Sequence, residues 1–95
     1  MRQILIEKYI EPSDVIVGVI DIYELWFDRN YDLHSFMGQP AEIIYRNKEI
    51  IRQRWLKKGI KHRDKNLPSH IYYYDGEITS QYWHKNGEFI KEKFY

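Results

Sequence analysis

The sequence predicts an all-β fold: a single antiparallel sheet of successive hairpins, built from about two 28-residue repeats behind an N-terminal strand segment. Three observations lead there. Aromatic residues make up 17% of the chain, with nine Tyr and three Trp, and these side chains favour strands. Asp75-Gly76 and Asn86-Gly87 separate strand-like runs, the strongest short signal for a two-residue hairpin turn. The chain also matches itself at an offset of 28 residues, a period typical of repeat architectures.

Taken in order, residues 2–10 read as a strand in preference to a short helix, Glu11-Pro12-Ser13-Asp14 as a turn, and the Val- and Ile-rich stretch 15–27 as one or two strands. Residues 41–46 form an apolar run, Asn47-Lys48 a turn, and 49–57 the returning strand. The next repeat gives 69–74, then Asp75-Gly76, then 77–85, and Asn86-Gly87 leads into 88–95. Pro40 and Pro68 stand just before strand starts, where a missing N–H does least harm. Alternation in 77–83 sets Thr79, Gln81 and Trp83 on one face and Ile78, Ser80 and Tyr82 on the other.

The register runs from His34 over His62 through Pro40/Pro68, Ile43/Ile71 and Tyr45/Tyr73. It continues with Glu49/Glu77, Ile50/Ile78, Gln53/Gln81, Trp55/Trp83, Lys57/Lys85 and Gly59/Gly87, ten identities between 34–59 and 62–87. Trp26 precedes His34 by eight residues where Trp55 precedes His62 by seven. One domain of 95 residues follows: an entry segment 1–32, repeats 33–60 and 61–87, and a terminal capping strand 88–95, since repeat arrays end in atypical units.

The net charge of +1 hides a split. Residues 1–45 carry three bases against eight acids, 46–65 nine bases against two acids, and 66–95 three bases against four acids. A basic block of this kind steers acidic partners toward it, and its lysines also blunt a sheet edge. The acidic first half argues against a general nucleic-acid binder. With no cysteine there are no disulfides and no thiolate sites. No apolar run reaches a membrane span and no signal-peptide core is present, so a cytoplasmic protein is expected.

The pattern Trp55-Leu56-Lys57-Lys58-Gly59-Ile60-Lys61-His62-Arg63, then Pro68, Ile71-Tyr72-Tyr73, a turn and Trp83-His84-Lys85-Asn86-Gly87, resembles the MORN-variant repeat proteins of bacteria. It is more similar still to phage and large-virus proteins built on Trp-x-x-Asn-Gly-x-x-His-Arg-x-x-x-x-Pro-Ala units. The first repeat supplies His34-Ser35 and Pro40-Ala41, so the likeness spans roughly residues 24–95. Ser35 stands where the motif has Arg, Ile90-Lys91 replaces His-Arg in the last unit, and Ser69 follows Pro68. The resemblance implies successive antiparallel hairpins, and a role as an antitoxin or immunity partner of the kind some bacterial members have. It implies no catalytic residue.

His34 and His62 share one repeat position, which points to a recurring structural hydrogen bond. Neither they nor His70 and His84 have metal-ligand spacing, so no metal or cofactor is expected. Trp26, Trp55 and Trp83, with Gly59, Gly87, Pro40 and Pro68, recur with the repeat and read as structural; the rival reading makes the tryptophans stacking platforms. Tyr72, Tyr74 and Tyr82 replace Ile44, Arg46 and Arg54 of the preceding repeat. They are therefore candidate partner anchors, with Arg52, Arg54, Lys57, Lys58 and Arg63 as steering charges. No Gly-x-Ser-x-Gly, phosphate-cradling loop or His-Glu-x-x-His occurs, and none of the four serines lies in a nucleophile motif.

The expectation is a non-enzymatic protein-binding module: a small phage or mobile-element inhibitor of a host defence system, or an antitoxin-like partner, acting by steric blocking. Its partner would be a host or cognate protein, a nucleoprotein effector included. The alternative is nucleic-acid or nucleotide binding through a basic, aromatic sheet surface. A third reading is an oligomer formed through unpaired sheet edges.

Overall fold

The computed structural model describes the backbone of residues 5–12 and 20–95 and the side chains of residues 21–95. Among the described residues nine strands follow one another: β1 Leu5–Pro12, β2 Ile20–Phe27, β3 Glu42–Arg46, β4 Glu49–Arg54, β5 Leu56–Lys57, β6 Ile60–Lys61, β7 His70–Tyr74, β8 Glu77–Lys85 and β9 Glu88–Phe94. Seven of them make one sheet in the order β1-β2-β3-β4-β7-β8-β9, every neighbouring pair antiparallel. The fold is all-β, with no helix among the described residues.

The sheet is a chain of hairpins because local turn chemistry closes them. Asn47 and Lys48, Asp75 and Gly76, and Asn86 and Gly87 all take positive φ, the conformation whose twist matches that of flanking strands. Gly76 and Gly87 hold it without the penalty a Cβ brings. Two pairs are exceptions: fourteen residues separate β2 from β3, and fifteen separate β4 from β7. Part of the second excursion folds into the two-stranded sheet β5–β6.

Bonds made by the two excursions recur 28 residues apart. The Ala41 N–H donates to the Arg54 oxygen and the Ser69 N–H to the Tyr82 oxygen, both at 2.8 Å. The Gly59 N–H donates to the Leu33 oxygen at 2.8 Å, and the Gly87 N–H to the Lys61 oxygen at 2.9 Å. The register shifts also fall in step: Ile51 is the extra residue against β3, and Thr79 the extra residue against β7.

Among the described residues the buried hydrophobic side chains are Phe27, Ala41, Ile44, Trp55, Leu56 and Ile71, and both Ala41 and Ser69 are 0% exposed. Each follows a buried proline at the point where the chain re-enters the sheet between two strands, so only a small side chain fits there.

Four expectations are corrected. Residues 49–57 are not one strand: Trp55 breaks it, turning its N–H to the Ser69 oxygen. Glu11 and Pro12 belong to β1 rather than to a turn, while Ser13, Asp14 and residues 15–19 lie outside the described residues, as do residues 2–4. A second small sheet adds to the single one expected. Finally, the bulge at Thr79 sets Ile78 opposite Tyr73. Ile78 thereby leaves the face of Ser80 and Tyr82.

Candidate partner-binding surfaces

The register builds one sheet face from Glu42 and Ile44 of β3, Arg52 and Arg54 of β4, His70 and Tyr72 of β7, Tyr82 of β8 and Phe94 of β9. Glu42 is buried at its centre and takes both arginines. Arg54 donates from Nε and Nη2 to the two carboxylate oxygens at 2.8 and 2.7 Å, and Arg52 donates from Nε to Oε1 at 3.0 Å. Two guanidiniums on one carboxylate leave the cluster one net positive charge. Next to β3, buried Asp21 receives Nε and Nη2 of Arg46 at 2.8 and 2.9 Å. Those hydrogen bonds hold its carboxyl below the usual range.

Beside the arginines runs an aromatic row. Tyr72 meets Tyr82 edge-on with centroids 5.8 Å apart, and Tyr82 meets Phe94 edge-on at 6.0 Å, both within the favoured range for such pairs. Both tyrosines are half-buried, while Phe94 on the outermost strand is 63% exposed. Tyr74 stands apart at the β7–β8 turn, 78% exposed.

A second surface lies over the two tryptophans. The Trp55 Nε1–H donates to the Gly38 oxygen and the Trp83 Nε1–H to the Asn66 oxygen, each at 3.0 Å. The Arg63 guanidinium stacks over Trp55 at 3.7 Å and the Lys91 ammonium over Trp83 at 4.7 Å; the two cations are again 28 residues apart. Each indole floors a groove, of about 430 Å³ at Trp55 and about 490 Å³ at Trp83, and the two share Arg63, Asp64, Lys65 and Leu67 as a common wall. The rings are packed and covered by their own cations, which leaves little face for a base to stack on.

The histidines hold turns. His34 Nδ1 accepts the Lys58 N–H and His62 Nδ1 accepts the Asn86 N–H, each at 2.9 Å. With Nδ1 occupied as acceptor, His62 donates from Nε2 to Asp64 at 2.8 Å. That bond, then the His62 charge interaction, then more weakly Lys57 and Lys85, keeps the Asp64 carboxyl below its ordinary value. Ser69 Oγ lies 2.8 Å from His84 Nδ1 and donates to the Tyr82 oxygen at 3.2 Å. A serine with no exposed surface offers no path to a substrate carbonyl, so this Ser–His contact is a packing bond. Burial, and next the Arg54 charge, push His70 down to about 3. Burial also lowers His84. Among the described residues no three His, Cys, Asp or Glu side chains converge on a common point.

The residues singled out from the sequence thus divide. Arg52, Arg54, Tyr72 and Tyr82 share the sheet face, Arg63 and Lys57 line a groove, exposed Lys58 caps the β5–β6 turn, and Tyr74 joins neither group. Glu42, Phe94, Lys65 and Lys91 were not singled out. Lys91 lies 28 residues after Arg63 and was findable by register. Phe94 has no such signal, because its register partner is Asn66.

The fold and these surfaces define a small antiparallel β protein with a charged aromatic face and two basic grooves. No protein-family model, curated protein or solved structure matches the chain. No helix among the described residues is long and apolar enough to cross a membrane.

Proposed function

We propose that this chain is a non-enzymatic protein-binding module that docks a partner on the face of Tyr72, Tyr82 and Phe94 and blocks it. The observation that carries the reading is the aromatic row lying half-open beside an arginine pair that keeps net positive charge. Tyr and Arg are the residue types that dominate interface hot spots, and β7 and β8 hold these rings in place with little side-chain entropy left to lose on binding. The resemblance of the repeat motif to phage and bacterial MORN-variant proteins supports a narrower form: a cytoplasmic inhibitor of a host defence system, or an antitoxin-like partner.

A photo-crosslinking residue at Phe94 tests the placement, because that side chain is exposed and substituting it disturbs little packing. In nuclease-treated bacterial lysate it should give one dominant protein adduct, absent when the crosslinker stands at exposed Lys48. Adducts of equal yield from both positions would refute the face assignment.

A further inference from the structure

Arg63 differs from the arginines of β3 and β4. Arg46, Arg52 and Arg54 each hold a carboxylate, whereas Arg63 has no carboxylate at ion-pair distance among the described residues. Its guanidinium is half-buried between the Trp55 ring and the Pro68 oxygen, which Nη1 reaches at 3.0 Å. Burial alone lowers its proton affinity. A desolvated cation without a counter-ion is costly in a protein and gains most from an anion brought to it.

The surroundings add exposed cations. Lys57, Lys65, Lys85 and Lys91 line the two grooves and likewise lack an ion-paired carboxylate among the described residues. Asp64 is the one carboxylate among the residues lining either groove. It stands on the shared wall, hydrogen-bonded to His62 and drawn by Lys57 on one side and Lys85 on the other. Asp64 is exposed and held by His62, and the cations outnumber it in both grooves.

The geometry points to the paired Trp-floored grooves as a docking site for an acidic peptide segment, whose Asp and Glu side chains seat along the Arg63–Lys65 wall and reach Lys91. This rests on the protein-docking reading and adds a second contact surface with a stated chemistry. Nucleic acid fits less well, because Arg63 and Lys91 already lie over the indole faces on which bases would stack. A second copy of the chain also carries exposed acids, Glu49, Asp75, Glu77, Glu88 and Glu92, and the molecular mass without peptide separates it from a peptide.

The test titrates the whole chain with a fluorescein-labelled decapeptide of alternating Asp and Glu, with a labelled ten-residue oligo-dT, and with inorganic phosphate, reading anisotropy and tryptophan emission. Saturable peptide binding that weakens with salt is expected. It should fall at least tenfold in Lys65→Gln/Lys91→Gln, whose side chains are exposed, and stay unchanged in Lys48→Gln. Binding of oligo-dT tighter than the peptide would overturn the proposal, as would no saturable peptide binding, or equal binding by the double variant. A rise in molecular mass without peptide would assign the grooves to a second copy and overturn it as well. Because the probe is synthetic, failure here leaves the Phe94 crosslink standing, and failure of that crosslink leaves the peptide result standing.

Discussion

At the scale of single residues, the molecule uses polar side chains as core elements and keeps them in defined protonation states. Ser69, His70 and His84 form a buried polar cluster where a larger domain would place aliphatic groups. His70 stays neutral in the fold down to about pH 3, while an unfolded chain takes up that proton near 6.5. Between those values the unfolded state binds more protons, so stability is complete above about pH 6.5 and declines as pH falls toward 3. His84, also lowered, acts in the same direction. The urea midpoint should therefore drop between pH 7 and pH 4, and His70→Gln should show a smaller drop than the wild type. An equal drop in both would remove His70 from the account. Truncating Arg52 or Arg54 removes part of the hydrogen bonding to buried Glu42, which makes aromatic variants the cleaner probes of the sheet face.

At the scale of elements, tight turns do much of the specification. Gly76 and Gly87 both sit at positive φ, +80° and +86°. A Cβ at Gly76 meets open space, whereas one at Gly87 would lie 3.1 Å from Ile60 Cγ2. Gly76→Ala should cost about 1 kcal/mol, the backbone penalty alone, and Gly87→Ala more, as the Ile60 side chain must also give way. Equal costs, measured by chemical denaturation, would mean that β6 does not pack on that turn. The same turn chemistry made most of the fold legible: Asp75-Gly76 and Asn86-Gly87 located β7, β8 and β9 to within a few residues. The break at Trp55 was not legible, because the 49–57 run has strand character throughout. Long-range bonds divert the chain into β5 and β6, from Trp55 to Ser69 and between Leu56 and Ser35. Bulges escaped for a similar reason, since an extra residue at Thr79 depends on its partner strand rather than on local pattern.

At the scale of the whole molecule, the basic block 46–65 does not form one patch. Its β4 arginines turn to the sheet face and are half-neutralised by Glu42, while Lys57, Arg63 and Lys65 line the groove that Trp55 floors. A linear charge count could locate the block but not divide it, because the division comes from strand alternation and from the β5–β6 excursion. The tyrosines were legible as departures from the repeat, and Phe94 was not, since its place in the row follows from the β8–β9 register alone. The outer strand β9 is exposed along its length and carries Lys91, Glu92 and Lys93 in succession, charges that discourage edge-to-edge pairing. Docking on the sheet face is therefore the claim on which the functional account depends. The most direct measurement captures tagged wild type and Tyr82→Ser side by side from nuclease-treated bacterial lysate and quantifies what each retains. A stoichiometric protein held by the wild type and lost with Tyr82→Ser is the predicted result; the same protein held equally by both, or nucleic acid alone in an untreated lysate, would contradict it.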